Sequence, residues 1–119
     1  MALRWFDRAL RLSPKDPGIY SIYQTRSIAL FGLQRYDELI AAAQRLSRQL
    51  PEWVSAHTMM AAGFVGLGQL PQAALAIDHA RKLDPRLTVR RVMRQHPLRI
   101  EADAARLAAF LQQAGLAES

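Results

Sequence analysis

Three histidines, His57, His79 and His96, are the side chains here best suited to metal or acid–base chemistry. Their spacing decides against it. They fall on separate predicted helices or at a helix end, none has a second ligand at metal spacing, and no helix carries an HExxH-like pair. Packed or solvated imidazoles are the expected state. The absence of cysteine removes disulfides, Cys-based zinc sites and thiol catalysis. Acidic residues are few, and the neighbours Asp37 and Glu38 point to different faces of a helix, where they supply favourable charge to its first turn. "GFVGLG" (63–68) offers glycines for a phosphate loop, but in the wrong order for GxGxxG, with no preceding strand and no lysine. Gly63 instead sits where a close helix crossing needs a small residue, and Gly66 and Gly68 build an inter-helix turn. No catalytic, metal-binding or cofactor-binding set emerges, so the chain reads as a non-enzyme.

The charge is more suggestive. Lys and Arg number 16 against 10 acidic residues, a net +6. Arg81, Lys82, Arg86, Arg90, Arg91, Arg94 and Arg99 crowd one segment, opposed only by Asp84. Arg86, Arg90 and Arg94 recur every four residues and predict a basic helical stripe opposite Val89, Val92 and Met93. Such a stripe could track phosphates and release their counterions. It lacks aromatic interleaving and any DNA-reading motif, so a solvated or protein-docking face is expected rather than a nucleic-acid site.

A chain of 119 residues can bury one core, and half of its residues are hydrophobic. No stretch approaches the roughly 20 apolar residues of a membrane span. The apolar N-terminal run is interrupted by Arg4, Asp7, Arg8 and Arg11, which is unlike a secretory signal. A cytoplasmic location is expected. Basic residues are overwhelmingly Arg, Lys15 and Lys82 being the lysines, and with abundant Ala and Leu this points to a bacterial, GC-rich genome.

The elements that must position these residues are helical. Apolar periodicity predicts helices near 2–12, 18–31, 36–49, 53–66, 71–83, 87–95 and 101–114, and no segment alternates long enough for a strand. Pro17 and Pro71 suit first turns, which tolerate a missing donor, and Gly115 suits a helix stop. The pattern also repeats. "RYDELIAAAQRLSRQLP" (35–51) overlays "QLPQAALAIDHARKLDP" (69–85), with Leu39 on Ala73, Ala43 on Ile77, Leu46 on Ala80 and Pro51 on Pro85, a period of 34. Ala2, Phe6, Ala9 and Pro14 fall in the same columns.

This period and the unit 54–85 resemble the tetratricopeptide repeat: Ala61 in the small-residue column, Phe64 in the aromatic one, then Gly68, Ala73, Ile77, Ala80 and Pro85. Small residues let paired helices approach, and larger ones fill the space between them. Departures are His57 where a large residue such as tryptophan is usual, Ser27 and Leu30 in place of Ala61 and Phe64, and Gln34 in place of the turn glycine. The resemblance implies an all-α, tetratricopeptide-like solenoid, a right-handed superhelix of antiparallel helix pairs with a C-terminal capping helix. Residues 1–16 would be the second helix of a truncated repeat, 17–51 and 52–85 whole repeats, and 86–119 the C-terminal helices and cap.

A repeat cannot bury its apolar face alone. Phe6 and Leu10, without a preceding helix, are therefore self-association candidates. Either a longer chain or a second copy in a homodimer supplies the cover, and the longer chain is the expectation. In stacked helix pairs the first helices line a concave groove. Helical spacing places Ser21, Gln24, Ile28 and Phe31 there from one repeat, and Ser55, Thr58, Ala62 and Val65 from the next. Some tetratricopeptide domains clamp a C-terminal carboxylate with Lys, Arg and Asn at these places. Gln24, Ile28, Thr58 and Ala62 offer no cation, which argues against a chaperone-tail clamp. A partner's apolar helix or strip could dock on Ile28, Phe31 and Val65, or the chain's own last helix could fill the groove.

That last helix carries Ala104, Leu107, Ala108 and Leu111, with Phe110 beside them, as a broad apolar stripe. It is expected to cap the 71–83 and 87–95 helices, with Glu101, Asp103, Arg106, Gln112 and Gln113 on its outer side. The ending from Lys82 to Glu118 also resembles the C-terminal end of bacterial proteins that join a class III adenylate/guanylate cyclase domain to tetratricopeptide repeats. Pro97, Leu98 and Arg99 match its break and Ala114, Gly115 and Leu116 its close, while Glu101 and Asp103 approximate its acidic cap. The resemblance implies a non-catalytic regulatory module in cyclic-nucleotide signalling, with a protein, a peptide or another domain of the parent as partner. The same ending occurs in winged-helix transcription regulators and other repeat proteins, which leaves a regulator of that kind or a stand-alone scaffold as the alternative.

Overall fold

A computed structural model describes residues 17–95 and 101–119, and these residues form six helices and no strand. In chain order they are α1 (Pro17–Gly32), α2 (Tyr36–Gln49), α3 (Val54–Gly66), α4 (Leu70–Leu83), α5 (Val89–Gln95) and α6 (Glu101–Gln113). The 2–12 helix expected at the N-terminus, with Phe6 and Leu10, lies outside the described residues, as do His96 and the 96–100 break.

Two hairpins share one turn chemistry. After α3, Gly68 adopts φ +76°, its N–H donates to Val65 O (2.9 Å), and the Gln69 N–H reaches back to Phe64 O (2.8 Å). This pair of bonds satisfies carbonyls that the helix end leaves free. The α1–α2 turn repeats it without glycine: Gln34 sits at φ +59°, with bonds from Gln34 N to Phe31 O (3.0 Å) and from Arg35 N to Leu30 O (2.9 Å). A side chain in that left-handed conformation costs about 1 kcal/mol relative to glycine. The tertiary fold therefore imposes this turn at Gln34.

α3 is the central element, packed against α2 on one side and α4 on the other. Nine of its 13 residues are buried, so its sequence is apolar nearly all round and not amphipathic. Small residues set the approach distances. A Cβ on Gly63 would stand 2.7 Å from Ile40 Cγ1, and one on Gly66 would stand 2.5 Å from the Tyr36 ring. Gly63 thus serves the close crossing as expected. Gly66 does not build the turn: it ends α3 under the Tyr36 ring, and Gly68 alone turns the chain there.

The main core joins Phe31, Leu39, Met59, Ile77, Val92, Leu107 and Leu111, and a smaller cluster holds Tyr23, Leu46 and Ala56 with Trp53 against it. Contributions therefore come from all six helices. The radius of gyration is 13.1 Å, close to the ~13.5 Å of a closed globule of this length. This compactness has a specific cause. α6 packs on α3 and α5, so it folds back over the stack and does not extend it. The result is an all-α, tetratricopeptide-like fold with a C-terminal cap.

Candidate interaction site

Sequence spacing places the groove on the inner face of the stack. α6 crosses it from the C-terminal end of α1 to the start of α5. At the first end, Arg106 Nη2 donates to Phe31 O at 2.6 Å, and its guanidinium carbon lies 4.5 Å from the Phe31 ring centroid. Phe31 O is among the last carbonyls of α1, so the cation also meets the negative end of that helix. Asp103 holds the same guanidinium at 3.5 Å. Phe31, Tyr36 and Phe110 form an aromatic triangle with centroids 5.7 to 6.0 Å apart. At the second end, Gly115 (φ +106°) stops α6 and Leu116 tucks into the core. The tail carbonyls of Ala117 and Glu118 then accept from Val89 N (2.8 Å) and Arg90 N (3.1 Å), which would otherwise be unpaired donors of α5.

This arrangement alters the groove expected from spacing. Phe31, Ser55, Thr58, Ala62 and Val65 are all buried. Thr58 Oγ1 donates to Ser55 O at 3.1 Å, and the Tyr23 hydroxyl reaches the same carbonyl at 3.4 Å. Gln24 and Ile28 are half-buried, and the Ser21 side chain and the pair Phe6 and Leu10 lie outside what is described. The apolar surface of Phe31 and Val65 is covered by the chain itself. The cap also differs in placement: its principal neighbours are α3 and α5 and the end of α1, rather than α4. Asp103 and Arg106, expected on its outer side, turn inward to α1, while Glu101, Gln112 and Gln113 are exposed as expected.

The outer face is open. Between α2 and α4, over α3, lies a cleft of about 490 Å³. α3 provides a floor of Met60, Phe64 and His57, and the walls include Arg48 from α2 with Leu75 and His79 from α4. His57 and His79 stack, with ring centroids 4.9 Å apart and planes 12° from parallel. The His57 Nε2 lies 3.3 Å from Pro51 O, a hydrogen bond in the tautomer that protonates Nε2. Burial pushes the His57 pKa below its ordinary value; the Pro51 carbonyl opposes this and His79 adds to it. Sequence spacing alone sets these two histidines on separate helices. A signal was present: both stand 11 residues from Gly68, and antiparallel helices of equal rise bring such residues level. Among the described residues no group of three or more potential metal ligands forms.

The basic stripe is shorter than expected. Arg86 lies in the turn before α5, its N–H bonded to Asp84 Oδ1 (3.1 Å), so only Arg90 and Arg94 of the three stand on the helix, both exposed. α5 starts at Val89 because Pro85 and the Asp84 cap hold residues 84–88 in a turn. Arg91 pairs with Asp84 at 3.3 Å. Val89 and Val92 are buried opposite, as the spacing required.

Two curated proteins resemble this chain. An Hsp70-Hsp90 organizing protein of Triticum aestivum is 31% identical over 80 residues, which is 67% of this chain and 13% of that protein. The STIP1 homolog of Dictyostelium discoideum is 25% identical over 84 residues, 71% of this chain and 14% of that protein. Both contain tetratricopeptide repeats, and the likeness supports a tetratricopeptide-like helical region here. The chain spans about one seventh of their lengths. No family model and no solved structure matches it. Among the described residues, no helix is long and apolar enough to cross a membrane.

Proposed function

We propose that this chain is a non-catalytic protein–protein interaction module. The observation that carries the reading is the tetratricopeptide-like stack, in which α3 and its neighbours hold two rigid faces, and the likeness to repeat proteins of which one is named for organizing Hsp70 and Hsp90. The clamp seen in some such domains does not transfer: Thr58 and Ala62 are buried and uncharged, and Gln24 and Ile28 bring no cation. The finer reading is that the module is the cytoplasmic regulatory end of a bacterial adenylate/guanylate cyclase, supported by the ending that closes in Ala114, Gly115 and Leu116. The two relatives favour the alternative of a scaffold with other fusion partners.

Sequencing the gene upstream of residue 1 separates these. A cyclase domain there supports the signalling reading; a winged helix, or no further domain, supports the alternative. The purified chain incubated with ATP or GTP should yield no cyclic nucleotide. Turnover that follows the chain through purification overturns the non-catalytic reading.

A further inference from the structure

We propose that the basic surface running from the last turn of α4, through the turn at Asp84 and Arg86, onto α5 docks an acidic segment of a partner protein. This rests on the reading of the chain as an interaction module and names a surface for it and the chemistry of its partner.

Concentration of charge gives the first reason. Residues 81–94 hold six cations, Arg81, Lys82, Arg86, Arg90, Arg91 and Arg94, all exposed, against the one carboxylate of Asp84. Six less one leaves five of the chain's six net positive charges in this short segment. The fold ties them together. Arg81 and Lys82 share a depression of about 400 Å³ with Asp78 and Pro85. Beside Pro85, one oxygen of Asp84 accepts from the Arg86 N–H at 3.1 Å and the other pairs with Arg91 at 3.3 Å. Arg94 follows Arg91 by three residues and Arg90 by four, so these arginines share one side of α5, opposite buried Val89 and Val92.

The second reason is that this charge does not serve the fold. Among the described residues no carboxylate forms an ion pair with Arg81, Lys82, Arg86, Arg90 or Arg94. Asp78 lies in the depression outside ion-pair distance, and Glu118 meets α5 through its backbone carbonyl. Arg90 and Arg91 stand in the first turn of α5, which holds no acidic residue and where the helix dipole disfavours cations. Arg90 and Arg94 add like charges one turn apart. Residues that work against their own element are expected where function requires them.

A row of carboxylates would supply the missing compensation. Arg90 and Arg94 are about 6 Å apart along the helix axis, close to the roughly 6.6 Å between alternate residues of an extended chain. Glu or Asp at every second position would therefore meet successive arginines. No aromatic ring lines the depression for a base to stack on. The apolar side of α5 is buried in the core and is not free to enter lipid. A protein segment fits best.

The test is a nitrogen-15 NMR titration of the full chain with a synthetic peptide alternating Glu and Ser, about ten residues long or roughly 33 Å extended. A version with Gln for every Glu and a single-stranded DNA oligonucleotide are titrated alongside, all in about 0.1 M salt. The acidic peptide should shift the amides of residues 81–94 and lose affinity as salt rises. The Gln version should bind at least about tenfold more weakly. Two variants change the net charge equally: the pair Arg90→Gln with Arg94→Gln, and Arg48→Glu in the outer cleft. The pair should weaken the acidic peptide at least about tenfold, and Arg48→Glu less than about threefold. No shift, equal binding of the Gln version, or equal losses from the two variants overturns the proposal. So does tighter binding of the oligonucleotide on residues 81–94, which would make the surface a nucleic-acid site and count against the module reading too. Shifts confined to the outer cleft or the inner face also overturn it, but leave the module reading standing.

Discussion

The inner and outer faces of the stack share α3 yet have opposite fates. Both are apolar at their centres. On the inner side the chain supplies its own cover, and the cover is locked at both ends: Arg106 and Phe110 hold Phe31, and the tail carbonyls hold the first turn of α5. On the outer side α2 and α4 flank a cleft over Met60 and Phe64, and nothing in the described chain fills it. A groove in a repeat stack is therefore not available merely because the repeat pattern predicts it. What decides is whether another element with a matching stripe and anchoring charge lies within reach.

That contrast can be broken from either side. The largest effect is expected at the cover itself. Leu107 is fully buried where α6 meets the stack, and Leu107→Ala should lower the unfolding free energy by about 2–5 kcal/mol in denaturant titration. A loss below ~1 kcal/mol would mean α6 rests only lightly on the inner face. Next is the anchor. Arg106→Met keeps much of the side-chain volume but removes the charged hydrogen bond to Phe31 O, and about 1–3 kcal/mol should be lost. An unchanged denaturation midpoint would show the bond to be dispensable.

The third effect is a gain. Gln34→Gly relieves the left-handed strain at φ +59° and should stabilise by roughly 0.5–1 kcal/mol. Destabilisation would show that the Gln34 side chain makes contacts worth more than the strain. The smallest effect belongs to the outer face and depends on pH. The folded state depresses the His57 pKa, so the unfolded chain takes up that proton first as pH falls. The stability this group contributes is complete above its ordinary value of 6.5 and is lost as pH falls through the lower folded value. Melting temperature should drop more between about pH 7.5 and 5.5 in the wild type than in His57→Gln. Equal slopes would contradict a buried, neutral His57.

The sequence was informative where the physics is local. The 34-residue period, Gly68 at its turn and the prolines after α2 and α4 placed the helices to within a residue or two over 17–83, because caps, turns and small-residue columns are written in neighbouring positions. It misplaced the start of α5 by two residues, since Leu87 continues the apolar pattern while Pro85 and Asp84 impose a turn and the Thr88 hydroxyl, accepting from the Arg91 N–H at 3.2 Å, caps the helix just before Val89. The site was less legible. An amphipathic stripe at Leu107 and Leu111 announces that α6 is covered on one side, not what covers it. The Arg106–Phe31 bond joins residues 75 positions apart, and nothing near either one announces the other. His57 and His79 form the intermediate case, readable once their equal distance from Gly68 is noticed.

The claim that the inner face is filled and the outer face open is tested most directly by thiol accessibility, and the cysteine-free sequence makes the measurement clean. Ala62→Cys places one thiol on the inner face of α3, and Leu75→Cys places one on the wall of the outer cleft. Under native conditions Leu75→Cys should react with a small maleimide at close to the rate of an unstructured thiol. Ala62→Cys should be protected by at least about a hundredfold, until denaturant or removal of α6 exposes it. Equal native rates at the two positions would contradict the account, because they would mean that α6 does not keep the inner face closed.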